Sequence, residues 1–107
     1  MPTYYKNSKV DLTATSVTTL YTAPAATTAV FKSLMVADDS GSTSTITVTI
    51  TDAGGAVFVL FSVKATVASA TVELLSQPLV VQENEIVKVT AANANRLHVV
   101  ASYIEIS

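Results

Sequence analysis

The sequence predicts an all-β protein, a single antiparallel β-sandwich of about eight strands, on three observations. Short runs rich in Thr, Val and Ile recur at spacings of roughly 8 to 12 residues with turn residues between them. One run, Thr43 to Thr51 (TSTITVTIT), alternates polar and β-branched positions, setting Ile46, Val48 and Ile50 on one face and Thr45, Thr47, Thr49 and Thr51 on the other. No segment carries the 3.6-residue apolar period of a helix. Of the ways to arrange eight or nine such strands, the spacing favours a jelly roll.

The chain divides into an extended N-terminal arm, residues 1–8, and a sandwich domain, residues 9–107. Met1 to Ser8 is polar apart from Tyr4 and Tyr5 and has no clear strand or helix period. A frayed terminus is one reading; the other is that the two rings dock on a neighbouring subunit, tyrosine being favoured at interfaces. Val10 to Thr15 and Ser16 to Thr22 are short threonine-rich strands. Pro24 ends the pattern, so Thr22-Ala23-Pro24-Ala25-Ala26 is a turn, with Ala23 held extended by the proline after it.

Thr28 to Ala37 is the next strand, with Val30, Lys32, Leu34 and Val36 expected on one side and Ala29, Phe31, Ser33 and Met35 on the other. A polar loop, Asp38 to Ser42, leads into Thr43 to Thr51. Asp52-Ala53-Gly54-Gly55 is turn chemistry, because Asp bonds its own backbone and Gly takes positive φ, and Ala56 to Lys64 therefore returns as a hairpin. Strict alternation there puts Val57, Val59, Phe61 and Val63 on one face and Ala56, Phe58, Leu60 and Ser62 on the other. Both faces are apolar, as in a strand covered on both sides or held at a subunit contact. Ser69 to Leu75 and Leu79 to Val81 flank Ser76-Gln77-Pro78. Gln82 to Glu85 turns into Ile86 to Ala91, Asn93 to Arg96 turns again, and Leu97 to Ile106 closes the chain with two apolar faces. AATTAV at 25–30 and VASATV at 67–72 echo each other faintly, as two halves of one design would.

Composition narrows the function. Only 13% of the 107 residues are charged, against about 25% in an ordinary soluble domain, and the mean hydropathy is +0.49. Either alanine pads a small domain, or neighbours in an assembly cover the apolar surface. The net charge of -2, with six scattered Lys and Arg, argues against nucleic acid as a partner. Without cysteine there is no disulfide framework or thiolate zinc site. No apolar run approaches the roughly 18 residues of a membrane span, and MPTYYKNSKV carries charge where a signal peptide is apolar. The expectation is a soluble, unexported protein without cofactor or metal.

Each candidate for chemistry has a plainer reading. His98, the only histidine, lies between Leu97 and Val99 and reads as a satisfied core or interface side chain, with no serine or orienting acid signalled near it. Asp38 and Asp39, with Ser40 and Ser42, offer hard oxygen ligands for calcium, but the same residues make a capped turn. Glu83 and Glu85 stand two apart, a spacing open to paired carboxylates, yet fit a solvated turn. A sugar-binding sandwich would present aromatic platforms; the chain has no tryptophan, and Tyr4, Tyr5, Tyr21 and Tyr103 are scattered. The expectation is a protein that is not an enzyme.

Leu12 to Asp38, LTATSVTTLYTAPAATTAVFKSLMVAD, resembles a stretch of small structural proteins of tailed bacteriophages: leucine-tyrosine-threonine, a proline turn, small residues, then an apolar strand. Residues 69–106 are similar to the closing strands of those proteins, where a proline-leucine step leads through an acidic turn into a strand pair. The chain departs from the pattern at Ala26, where glycine often follows, and at Asp38, where asparagine often ends the strand. The resemblance implies a virion component made in the host cytoplasm. It implies first a capsid decoration (cement) protein binding the major capsid protein or other virion proteins. A collar, tail or fibre module, or a sugar-binding sandwich for host attachment, are the alternatives. The expected contact residues are Tyr4, Tyr5, Phe58, Leu60, Val100 and Ile104, in a homo-oligomer; periodicity leaves open which strand faces point outward.

Overall fold

A computed structural model describes residues 3–39 and 41–107 of the chain. Among these the fold is all-β, with nine strands and no helix: β1 (Thr3–Leu12), β2 (Thr18–Thr22), β3 (Thr28–Asp38), β4 (Thr45–Thr51), β5 (Val57–Ala65), β6 (Thr71–Glu73), β7 (Leu79–Val81), β8 (Ile86–Ala91) and β9 (Leu97–Ile106). They form two antiparallel sheets. One has the order β1-β9-β3-β6 with β7 also on β3, the other β2-β8-β4-β5. Of all consecutive strands, only β4 and β5 pair as a hairpin.

The threonine-alternating run behaves as its period requires. Ile46 and Val48 are buried, and Ile50 packs against the core from its edge. The three face Ala91, Val89 and Val87 of β8 in register. The hairpin turn also follows its chemistry: Asp52 Oδ1 accepts from the N–H groups of Gly54 and Ala56, both at 2.9 Å, and Gly55 takes φ 92°, which costs glycine nothing.

Three strands carry β-bulges, which place two successive residues opposite one on the partner strand and break strict alternation. In β3 the register against β9 slips between Phe31 and Ser33, leaving Lys32 unpaired. Phe31 therefore shares the core with Leu34 and Val36 instead of facing away from them. In β2 the slip falls between Thr19 and Tyr21, and Leu20 and Tyr21 are both buried. In β5 the register slips twice against β4, so that Phe61 opposes Val48 while Phe58 opposes Ile50. Phe58 and Phe61 thus lie toward the same side, where alternation had set them on opposite faces.

The core is a Leu, Ile and Val layer closed at one end by three rings. Tyr21 of one sheet meets Phe31 and Tyr103 of the other, with ring centroids 5.4 and 4.5 Å away; Phe31 and Tyr103 stack at 5.3 Å. Such pairs add about 0.5–1.5 kcal/mol beyond their buried area.

The N-terminus differs from the expected arm. Met1 and Pro2 lie outside the described residues, but Thr3 to Ser8 run without a break into β1, which pairs along its whole length with β9, from Thr3 opposite Ile106 to Leu12 opposite Leu97. The reason lies in the partner: the ten-residue closing strand has an edge with backbone groups to satisfy, and β1 supplies them.

Candidate functional site

The burial pattern of β9 alternates strictly, with Leu97, Val99, Ala101, Tyr103 and Glu105 inward and His98, Val100, Ser102, Ile104 and Ile106 outward. The expected contact residues Val100 and Ile104 are therefore outer-face residues of the first sheet. Tyr5 pairs with Ile104, Ile104 with Val30, and Val30 with Val80. These four form an apolar row crossing β1, β9, β3 and β7, and Tyr5 at its end is 82% exposed. The next row, Asn7, Ser102 and Ser33, is polar. Val100 comes after it, beside Met35, with Lys9 and Glu73 at the flanks.

Tyr4 points the other way. It pairs with the inward-facing Glu105, and the Lys6 ammonium sits 5.5 Å from the centre of its ring. Adjacent in sequence, Tyr4 and Tyr5 thus belong to opposite faces of one strand, and both rings are exposed.

Phe58 and Leu60 belong to a second surface. β5 is the outermost strand of its sheet, and it exposes Val57, Phe58, Val59 and Val63, with relative accessibilities of 59%, 55%, 59% and 65%. Lys64 is its one charge. Leu60 is only partly exposed and packs against the core together with Phe61, beside a shallow hollow of about 230 Å³ that Leu74, Leu75 and Leu79 also line. The exposed β5 side chains were legible as apolar; that both Leu60 and Phe61 turn inward follows from the bulges. Val63 is also strained, because a β-branched residue at φ 51° sits in the left-handed region that such side chains avoid. Its N–H donates to Thr47 Oγ1 at 3.1 Å.

The candidates for chemistry are engaged in local structure. Glu83 Oε2 accepts from the Ala26 N–H at 2.6 Å and Glu85 Oε1 from the Gln82 N–H at 2.7 Å, so each carboxylate caps a turn. Both border an open trough of about 720 Å³ with Asp52, Thr28 and Gly54. Asp38 is buried and accepts from Thr66 Oγ1 at 2.9 Å. Asp39 instead reaches His98 Nε2, also at 2.9 Å, so the two neighbouring acids turn to different environments; Ser40 of that loop lies outside the described residues. His98 is not a core side chain: it stands on the outer face, with Asp11 Oδ1 3.6 Å from its Nδ1. Among the described residues, no three His, Asp or Glu side chains gather as a metal ion requires.

Two carboxylates that sequence reasoning did not single out tie the fold together. Glu105, buried, accepts from Tyr21 Oη at 2.5 Å and pairs with Lys6 Nζ at 2.7 Å. Its pKa is held below the ordinary value, first by the hydrogen bond from Lys6, then by that from Tyr21. Glu73 accepts from the Ser33 hydroxyl, from the Leu34 N–H at 2.7 Å and from the Leu75 N–H at 3.2 Å. Burial pushes Glu73 up, but these bonds outweigh it and hold the carboxyl down. An acid following a short β-branched run is the only sequence signal for it, and that signal is common.

No protein-family model matches the chain, and no curated protein matches it either.

Proposed function

We propose that this chain is a non-catalytic structural subunit of a tailed-phage particle, a decoration protein that seats on the assembled shell and reinforces it. The observation that carries the reading is β5, a nine-residue edge strand whose exposed large apolar side chains are Val57, Phe58, Val59 and Val63. Natural edge strands are normally blunted by charge, proline, shortness or bulges; here the one lysine and both bulges lie beyond Val59, and Val57 to Val59 is left plain. An uncovered strand of this kind is at home where a neighbour covers it.

Three further features support the reading. The two strand orders, β1-β9-β3-β6 and β2-β8-β4-β5, we read as a jelly roll, whose two sheets leave their outer faces free for contacts. The Tyr5, Ile104, Val30 and Val80 row supplies a second apolar surface on a different side from β5. The resemblance of residues 12–38 and 69–106 to phage structural proteins supplies the setting. The mechanism is adhesion: each contact is small, and repetition over a symmetric shell multiplies it through effective concentration.

The test is co-sedimentation of the purified chain with empty shells assembled from the major capsid protein of the same genome. Binding to shells and not to unassembled capsid protein is expected. Binding confined to tail or collar fractions would move the chain to those parts of the particle, and binding to neither would overturn the reading.

A further inference from the structure

The phase of the β4–β5 ladder follows from one bond at its closed end, the Asp52 N–H to the Ala56 carbonyl at 2.9 Å. Hydrogen-bonded and non-bonded pairs alternate along an antiparallel ladder. Phe58 therefore bonds to Ile50, while Val57 and Val59, opposite Thr51 and Thr49, turn their N–H and C=O groups away from β4. Since β5 ends its sheet, these groups lie on an open edge. Beyond Val59 the two bulges bend the strand, so the flat stretch able to accept another strand is Val57-Phe58-Val59.

We infer that this stretch pairs antiparallel with the same stretch of a second copy, about a two-fold axis at Phe58. In that register Val57 opposes Val59 of the second copy through the free backbone groups, and the two Phe58 rings stand directly opposite each other. Two features select a second copy of the chain as the occupant. The segment Val-Phe-Val reads the same in both directions, as a self-complementary two-fold contact needs. The antiparallel sense also lays the half of each strand that ends in Lys64 alongside the half of the other copy that begins after Asp52, so charges of opposite sign fall at the same end of the contact. Three paired residues a side are few against the roughly 20–30 of a stable interface. A free dimer is then weak, and the pairing fills when copies are held close together. The inference does not depend on the phage reading, because it concerns the chain alone.

The test uses the full chain, which has no cysteine of its own. Directly opposite residues of a non-bonded pair have Cα atoms about 4.5 Å apart, within disulfide reach. Phe58→Cys is therefore expected to form a disulfide dimer at least tenfold faster than Val17→Cys, a control of similar exposure (61%) outside β5. Adding Val59→Lys to Phe58→Cys should bring the rate down to that of the control. A mixture of Val57→Cys and Val59→Cys chains should give mixed dimers in excess of either homodimer, which reads the register directly. Equal rates for Phe58→Cys and Val17→Cys, or a dimer indifferent to Val59→Lys, would overturn the inference. So would cross-linking of Phe58→Cys only to another protein of the particle.

Discussion

The Tyr21 hydroxyl donates to the Glu105 carboxylate across 2.5 Å, joining β2 of one sheet to β9 of the other inside the sandwich. Lys6 of β1 holds the second carboxylate oxygen at 2.7 Å. A buried carboxylate is costly unless hydrogen-bonded and paired, and here both conditions are met by residues from two other strands. Tyr21 is in turn pushed above the ordinary tyrosine range, by burial first and then by its bond to Glu105.

Tyr21→Phe keeps the ring against Phe31 and Tyr103 and removes the donor alone. Loss of a hydrogen bond to a charged group costs about 1.5–3 kcal/mol. The urea midpoint should fall by that equivalent with an unchanged slope; an unmoved midpoint would show that Lys6 satisfies Glu105 by itself.

Stability should decline at both ends of the pH scale. Glu105 and Glu73 are depressed in the folded state from the ordinary value of 4.5, so their contribution is complete above that pH and is lost as pH falls through their lower folded values. Tyr21 is raised, so its contribution is complete below about pH 10 and is lost as pH climbs above it. Denaturant midpoints measured against pH should show a plateau between these limits. Glu105→Gln should flatten the acid limb and Tyr21→Phe the alkaline one.

Ala26 and Val63 hold positive φ angles of 59° and 51°, at a cost of about 1–2 kcal/mol for a residue with a Cβ. Ala26→Gly should raise stability by about 0.5–1 kcal/mol, read as a higher urea midpoint. Val63→Gly should do the same for the fold and weaken binding, because it also removes a side chain from the exposed strand. A gain in both would show that Val63 takes no part in contacts.

Phe31 and Phe58 separate core from contact. Phe31→Ala should cost about 3–5 kcal/mol, as large-to-small core changes do, and bring the domain close to unfolding. Phe58→Ser should change the melting temperature by only a few degrees and abolish binding to shells. Unfolding of Phe58→Ser would assign that ring to the core.

Much of the fold was legible because alternation is a strong signal wherever register is regular. In β4 and β9 each residue faces the side its period assigns, and the Asp52 turn follows from the side-chain chemistry of Asp and Gly. Legibility fails at Lys32, Leu20 and the middle of β5, where an extra residue moves the side chains after it to the other face; nothing in Thr-Leu-Tyr, Phe-Lys-Ser or Val-Leu-Phe marks such a slip. Six residues were expected at contacts. The fold separates them: Tyr5, Val100 and Ile104 share an outer face, Phe58 lies on a distant edge, Leu60 turns inward and Tyr4 joins Lys6 and Glu105. Sequence adjacency hid the last point, since neighbouring residues of a strand always face apart. Glu105 was illegible for another reason: its partners, Lys6 and Tyr21, are brought to it only by the pairing of β9 with β1 and the stacking of the two sheets.

The position of β9 between β1 and β3 sets the timetable of synthesis. On the ribosome, the first strand of the chain emerges early and has nothing to pair with until the last one, Leu97–Ile106, has left the exit tunnel. β3 likewise keeps one side unpaired until then, and the β4–β5 hairpin is the one unit able to form from neighbouring residues. A message truncated before the codon for Leu97 thus yields a chain whose β1 has no partner strand and whose β3 has one edge open, a substrate for chaperones and proteases rather than a shortened domain.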